Sequence, residues 1–223
     1  MNKKLTAKTI SLIVAIAVAA TALIGGTVAW IMAQTAPVVN TFTYGDIDIK
    51  LEETDAKWND EKDQFEKEFE MIPGSVLEKD PKVTVEADSE ANWLFVKLEK
   101  KGGDVTVGGK TYTFDDFLTY EMADGWIQLT DAQGNDVEGV FYREVAEIAE
   151  NGNPAAFAVI KDNKVTVKGE VTKEMFNALD ADATNSKIPT LTVTAYAVQK
   201  ENIANAQAAW AVVDPQFNNT QNP

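Results

Sequence analysis

The chain has 223 residues, 45% of them hydrophobic, and carries a formal charge of −15. It contains neither cysteine nor histidine. That excludes disulfides, thiol nucleophiles, thiolate metal sites, Ser-His-Asp triads and His-Glu-x-x-His zinc helices, leaving carboxylate, lysine or tyrosine chemistry. The acidic balance also argues against nucleic acid as a partner, because phosphates need a basic surface.

Lys3, Lys4 and Lys8 precede an almost uncharged run from Ile10 to Ile24, and Gly25, Gly26, Thr27, Val28 and Ala29 then lead into Trp30. A basic start, an apolar middle and small residues at a cleavage point form the layout of a secretory signal peptide. Thr27 and Ala29 fit the small-residue subsites of a signal peptidase, which puts the cut between Ala29 and Trp30. An uncleaved anchor is the competing reading, because the run is nearly long enough to span a bilayer. The small residues at its end favour cleavage, so the membrane is met only through the signal peptide. Residues 1–29 hold three lysines and no acid, so the mature chain stands at −18. A secreted domain without disulfides must rely on its core, which is more typical of Gram-positive bacterial exports.

The mature sequence reads mostly as strands. Ile47, Ile49 and Leu51 alternate with Asp46, Asp48 and Lys50, the period-2 signal of a half-buried strand. Residues 54–70 form a charged insertion holding Trp58 and Phe65, expected as a loop or short helix over one sheet end. Val83 and Val85 mark a strand after Pro81. Leu94, Val96 and Leu98 share one face of the next, with Trp93 and Phe95 on the other. Gly108 and Gly109 join Val105–Val107 to Thr111–Phe114 as a hairpin. A second hairpin is expected from Trp126–Thr130 to Val140–Arg143 across the polar stretch 131–138. Val165 and Val167 mark a strand, and Thr190–Gln199 is the clearest, with Leu191, Val193, Ala195 and Ala197 on one face.

Two short helices are expected. Thr172 can cap the first, with Val171 and Phe176 spaced as a hydrophobic staple and Glu174 near the positive end of the dipole. Ile203, Ala206, Trp210 and Val213 fall on one stripe of the second, which Pro215 ends. Residues 214–223 are polar and are expected to be disordered. Many short strands with glycine-rich turns predict an all-β fold, a β-sandwich with few short helices.

Two parts of the sequence together carry a family resemblance. The signal end Gly25–Trp30, followed by Asn40-Thr41-Phe42-Thr43-Tyr44-Gly45-Asp46-Ile47-Asp48-Ile49, resembles the opening of the TasA/camelysin group. The resemblance continues in Ile72-Pro73-Gly74, in Lys79-Asp80-Pro81 with Val83, and in the run from Leu191 to Gln199 with Ala209-Trp210. Those proteins are bacterial exports processed by a SipW-type signal peptidase. The resemblance implies a jelly-roll-like β-sandwich, with some members polymerising into extracellular fibres of the biofilm matrix. In such fibres the mature N-terminus inserts as a strand into the next subunit, a role that would fall here to Trp30, Ile31, Met32 and Ala33; the competing reading is that these residues fold back on their own domain. Camelysin is classed as a metallopeptidase, but this sequence has no histidine and no recognisable zinc motif.

Other candidate sites compete with plainer readings. Asp180, Asp182 and Asn185, and separately Asp131, Asn135 and Asp136, alternate oxygen donors as a calcium loop would. Neither has the glycine and distal glutamate of an EF-hand, and turn chemistry accounts for both. Asp63, Glu66, Glu68 and Glu70 could include an acid–base pair, but a solvated charge run is the simpler reading. Trp93, Phe95, Trp126 and Tyr142 could stack on sugars, although such aromatics more often fill a core. The glycines at 102–103 and 108–109 lack P-loop spacing.

The expected organisation is a signal peptide over 1–29, an N-terminal extension and donor strand over 30–39, a β-sandwich over 40–213 and a tail over 214–223. The expected function is that of a secreted, non-enzymatic structural protein of the bacterial cell surface or biofilm matrix. It would need no cofactor and no metal, and its main partner would be itself. The alternative is a monomeric adhesion or polysaccharide-binding module.

Overall fold

A computed structural model describes residues 32–36, 39–41, 47–181 and 186–216, the first two segments through their backbone. The expected signal peptide, its cleavage bond at Ala29–Trp30 and the residues 217–223 of the expected tail lie outside the described residues. In chain order the strands are β1 (Met32–Ala36), β2 (Val39–Thr41), β3 (Ile49–Glu52), β4 (Lys57–Asn59), β5 (Gln64–Glu66), β6 (Val76–Glu78), β7 (Lys82–Val85) and β8 (Asn92–Lys101). They continue with β9 (Val105–Val107), β10 (Lys110–Tyr112), helix α1 (Phe114–Phe117), β11 (Leu118–Met122), β12 (Ile127–Thr130), β13 (Asp136–Val145) and β14 (Ala155–Ala158). Last come β15 (Ile160–Val167), α2 (Lys173–Asp180), β16 (Thr190–Gln199) and α3 (Ala206–Val213). The fold is all-β with a few short helices.

A six-stranded antiparallel sheet, in the order β12-β13-β8-β16-β1-β2, is the centre of the structure. One of its faces packs on the three-stranded sheet β14-β7-β3. Ile47, Ile49, Leu51, Val83 and Val85 meet Leu94, Val96, Leu98, Val193, Ala195 and Ala197 there. The other face is covered by α3, whose Ala206, Ala209 and Trp210 join Ile203 against Trp93, Phe95, Val140 and Val198. Strand β8 is therefore buried on both sides from Asn92 to Val96. This is why its sequence reads as a near-continuous apolar run with two meaningful faces. A third cluster joins the sheet β11-β15-β6 to α1 and α2 through Phe114, Phe117, Val165, Val167, Met175 and Leu179.

Local chemistry explains the ends of these elements. Thr172 accepts a hydrogen bond from the Met175 amide at 3.4 Å, and the buried Val171 and partly buried Phe176 both join the third cluster. Asn205 caps α3 by accepting from the Ala208 amide at 2.8 Å. The turn between β9 and β10 holds Gly108 and Gly109 at φ of +60° and +81°, a conformation that residues with a Cβ rarely adopt.

Three expectations need correction. Residues 54–70 contain no helix: β4 and β5 form a hairpin, and Trp58 meets Phe65 edge-on across it at 5.0 Å. The missing signal was alternation, because these short strands carry one apolar cross-strand pair between polar neighbours. The second hairpin is tighter than predicted, since β13 begins at Asp136 and only residues 131–135 turn. Phe114 does not extend β10 but opens α1, where Thr113 and Asp116 form a capping box.

Candidate functional site

Strand β16 is zipped to β8 along its whole length, from Thr190 opposite Lys101 to Gln199 opposite Asn92. Its alternation buries Val193, Ala195 and Ala197 in the layer facing β3 and β7, and Val198 in the layer facing α3. Its second edge accepts β1 in antiparallel register, with Met32 opposite Val198, Ala33 opposite Ala197 and Gln34 opposite Tyr196. Strand β2 then pairs back on β1, placing Ala36 opposite Val39 and Gln34 opposite Thr41. Two of the expected donor residues, Met32 and Ala33, thus lie in a strand on their own domain; Trp30 and Ile31 fall outside the described residues. The order of the sheet adds something the sequence did not show: β2 reaches the rest of the sheet only through β1.

A groove of about 740 Å³ opens beside the β4–β5 hairpin. Its floor includes Leu51, Leu77, Leu118, Val165 and Leu191, and its walls alternate carboxylates with lysines. The ionisable groups are mostly engaged. Lys79 bridges to Glu53 at 2.8 Å with only 13% of either side chain exposed, while Glu53 Oε1 finds no partner. Glu66 accepts from Lys62 Nζ at 2.7 Å, from Asn59 Nδ2 at 2.8 Å and from Gln64 Nε2 at 2.5 Å. Those bonds, the Lys62 one above all, hold its carboxyl down at about 2. At the neighbouring Asp80, burial opposes ionisation. Two hydrogen bonds from Thr54, together with the Lys67 charge and a backbone bond, outweigh it and keep that carboxyl below its ordinary range. The Glu66 bonds all close within the β4–β5 hairpin, and groups fixed in the ionised state in this way are poorly placed to shuttle protons near neutral pH.

The remaining candidates fall into ordinary structural roles. Asp131 accepts from the amides of Gln133 and Asn135 and from Asn135 Nδ2, which is Asx-turn chemistry. Asp182 and Asn185 lie outside the described residues, and no metal-holding group of acids occurs among the described ones. Trp93, Phe95 and Trp126 are buried, and Tyr142 packs edge-on against Trp93 at 5.9 Å, so these rings do not form an exposed sugar platform. Among the described residues no helix is long and apolar enough to cross a membrane. No protein-family model, curated protein or solved structure matches this chain.

Proposed function

We propose that this chain is a secreted structural protein of the bacterial cell surface or biofilm matrix, assembling with copies of itself by strand exchange. What supports this reading most is the pairing of β1 with the edge of β16. A neighbour's β1 could make the same backbone ladder on that edge, so exchange would conserve most contacts and change only which chain supplies them. The contact runs head-to-tail and propagates into a fibre instead of closing as a dimer. In this reading the sheets belong to a jelly-roll-like sandwich, a SipW-type signal peptidase cuts between Ala29 and Trp30, and no catalytic role is assigned.

The donor in this scheme is wider than four residues. Because β2 is hydrogen-bonded to the sheet only through β1, release of β1 from β16 lets β1 and β2 leave together. Protein beginning at Trp30 should form filaments under negative stain as concentration rises. High salt should help, because it screens repulsion between subunits of strongly negative charge. Protein beginning at Val38 should keep its β-sheet circular dichroism and form none. Filaments of normal appearance from the shorter chain would defeat the proposal.

A further inference from the structure

The chain has a single arginine, Arg143, among 20 basic residues. It lies on β13 opposite Leu94, on the side of the large sheet that faces β14. Its guanidinium carbon sits 3.9 Å from the centroid of Phe157 and 5.2 Å from that of Trp126. Both rings are fixed from elsewhere: Phe157 is paired with Val83, and the Trp126 indole donates to the Ala158 carbonyl at 2.8 Å. Gly125 leaves the space the guanidinium uses, because a Cβ there would stand 2.6 Å from Nη2. Three segments therefore hold one planar cation in place.

What it lacks is an acceptor. Among the described residues Arg143 makes no hydrogen bond and no ion pair, although Lys50, Lys62, Lys79, Lys161 and Lys200 each have a carboxylate. Burial lowers its pKa, and no neighbouring acid raises it. Its nitrogens are not among the buried atoms left without a partner, so its N–H groups reach solvent.

We infer that Arg143, packed against Trp126 and Phe157, is a binding site for a carboxylate, which its free N–H edge takes in bidentate fashion. Preorganisation by the two rings limits the side-chain ordering that binding would otherwise require. The planar fork matches a carboxylate in a way a lysine ammonium does not. The carboxylate can come from a small organic acid or from an acidic side chain of a second copy, and the site is independent of strand exchange.

A sole arginine gives the test a clean signal. In protein labelled with [15N]arginine, acetate should shift the Arg143 Nε–H resonance saturably, with a midpoint on the order of 10 mM. Chloride at equal ionic strength should not saturate it. A matching shift on raising protein concentration without acetate, reversed by acetate, assigns the carboxylate to a second copy. Saturation by acetate with no concentration dependence assigns it to a free acid. R143K keeps the charge and loses the fork, so in [15N]tryptophan-labelled protein its Trp126 indole signal should stop responding to acetate while the fold persists. Equal, linear drifts in acetate and chloride, or an unchanged indole response in R143K, would overturn the assignment.

Discussion

Six residues other than glycine hold a left-handed backbone among the described positions, and all are aspartate or asparagine: Asp55, Asp63, Asp88, Asp162, Asn163 and Asn202. Their short polar side chains tolerate that conformation better than others do. Gly139 shows the limit of the substitution. It lies inside β13 at φ +68°, and a Cβ there would fall 2.1 Å from the Leu98 carbonyl oxygen on the adjacent β8. Gly139→Ala should therefore combine backbone strain with a clash against main chain, costing about 2–4 kcal/mol, read as a lower urea midpoint. Glu66 supplies a pH signature. Its carboxyl is held at about 2, below the ordinary value, so its stabilising bonds are fully present above that ordinary value. They are lost as pH falls from the ordinary glutamate range through about 2. The Trp58 indole signal should report loosening of the β4–β5 hairpin in that window, and Glu66→Gln should remove most of the dependence.

At the scale of elements, legibility followed burial. Strands β8 and β16 could be read because their apolar side chains fall into two buried layers, and apolar alternation is a burial signal. The β4–β5 hairpin could not, because Trp58 is 39% exposed and the surrounding positions are polar whichever way the chain turns. The early start of β13 was hidden for the same reason: Asp136 and Glu138 face water even though they lie within the strand. The surroundings of Arg143 depend on β13, β14 and Gly125 converging, which no local pattern encodes. The Thr172 cap was legible because one side chain does the work, whereas the Asn205 cap and the Thr113–Asp116 box went unread. Asn205→Ala should remove the acceptor for the Ala208 amide and cost about 1 kcal/mol in thermal or urea unfolding. Trp210→Ala should cost about 3–5 kcal/mol, because the ring is buried against Phe95 and Tyr196.

For the whole molecule, the decisive question is whether β1 stays at home. The absence of native cysteine makes a lock simple to install. Ala33 and Ala197 stand opposite each other, at a separation that antiparallel strands offer to a disulfide. Ala33→Cys with Ala197→Cys, oxidised in dilute monomer, should abolish filaments, and reductant should restore them; filaments from the oxidised form would count against exchange. The dependence of β2 on β1 has a further consequence, visible in hydrogen-exchange kinetics. Amides at the centre of β8 can exchange only when the sheet as a whole opens, whereas the β1 amides bonded to β16 are exposed as soon as β1 and β2 peel from that edge. The protection factor of those β1 amides thus measures the free energy of that peeling in the intact monomer. Added to the affinity of a vacated edge for a foreign strand, it sets the subunit concentration at which a first junction can form.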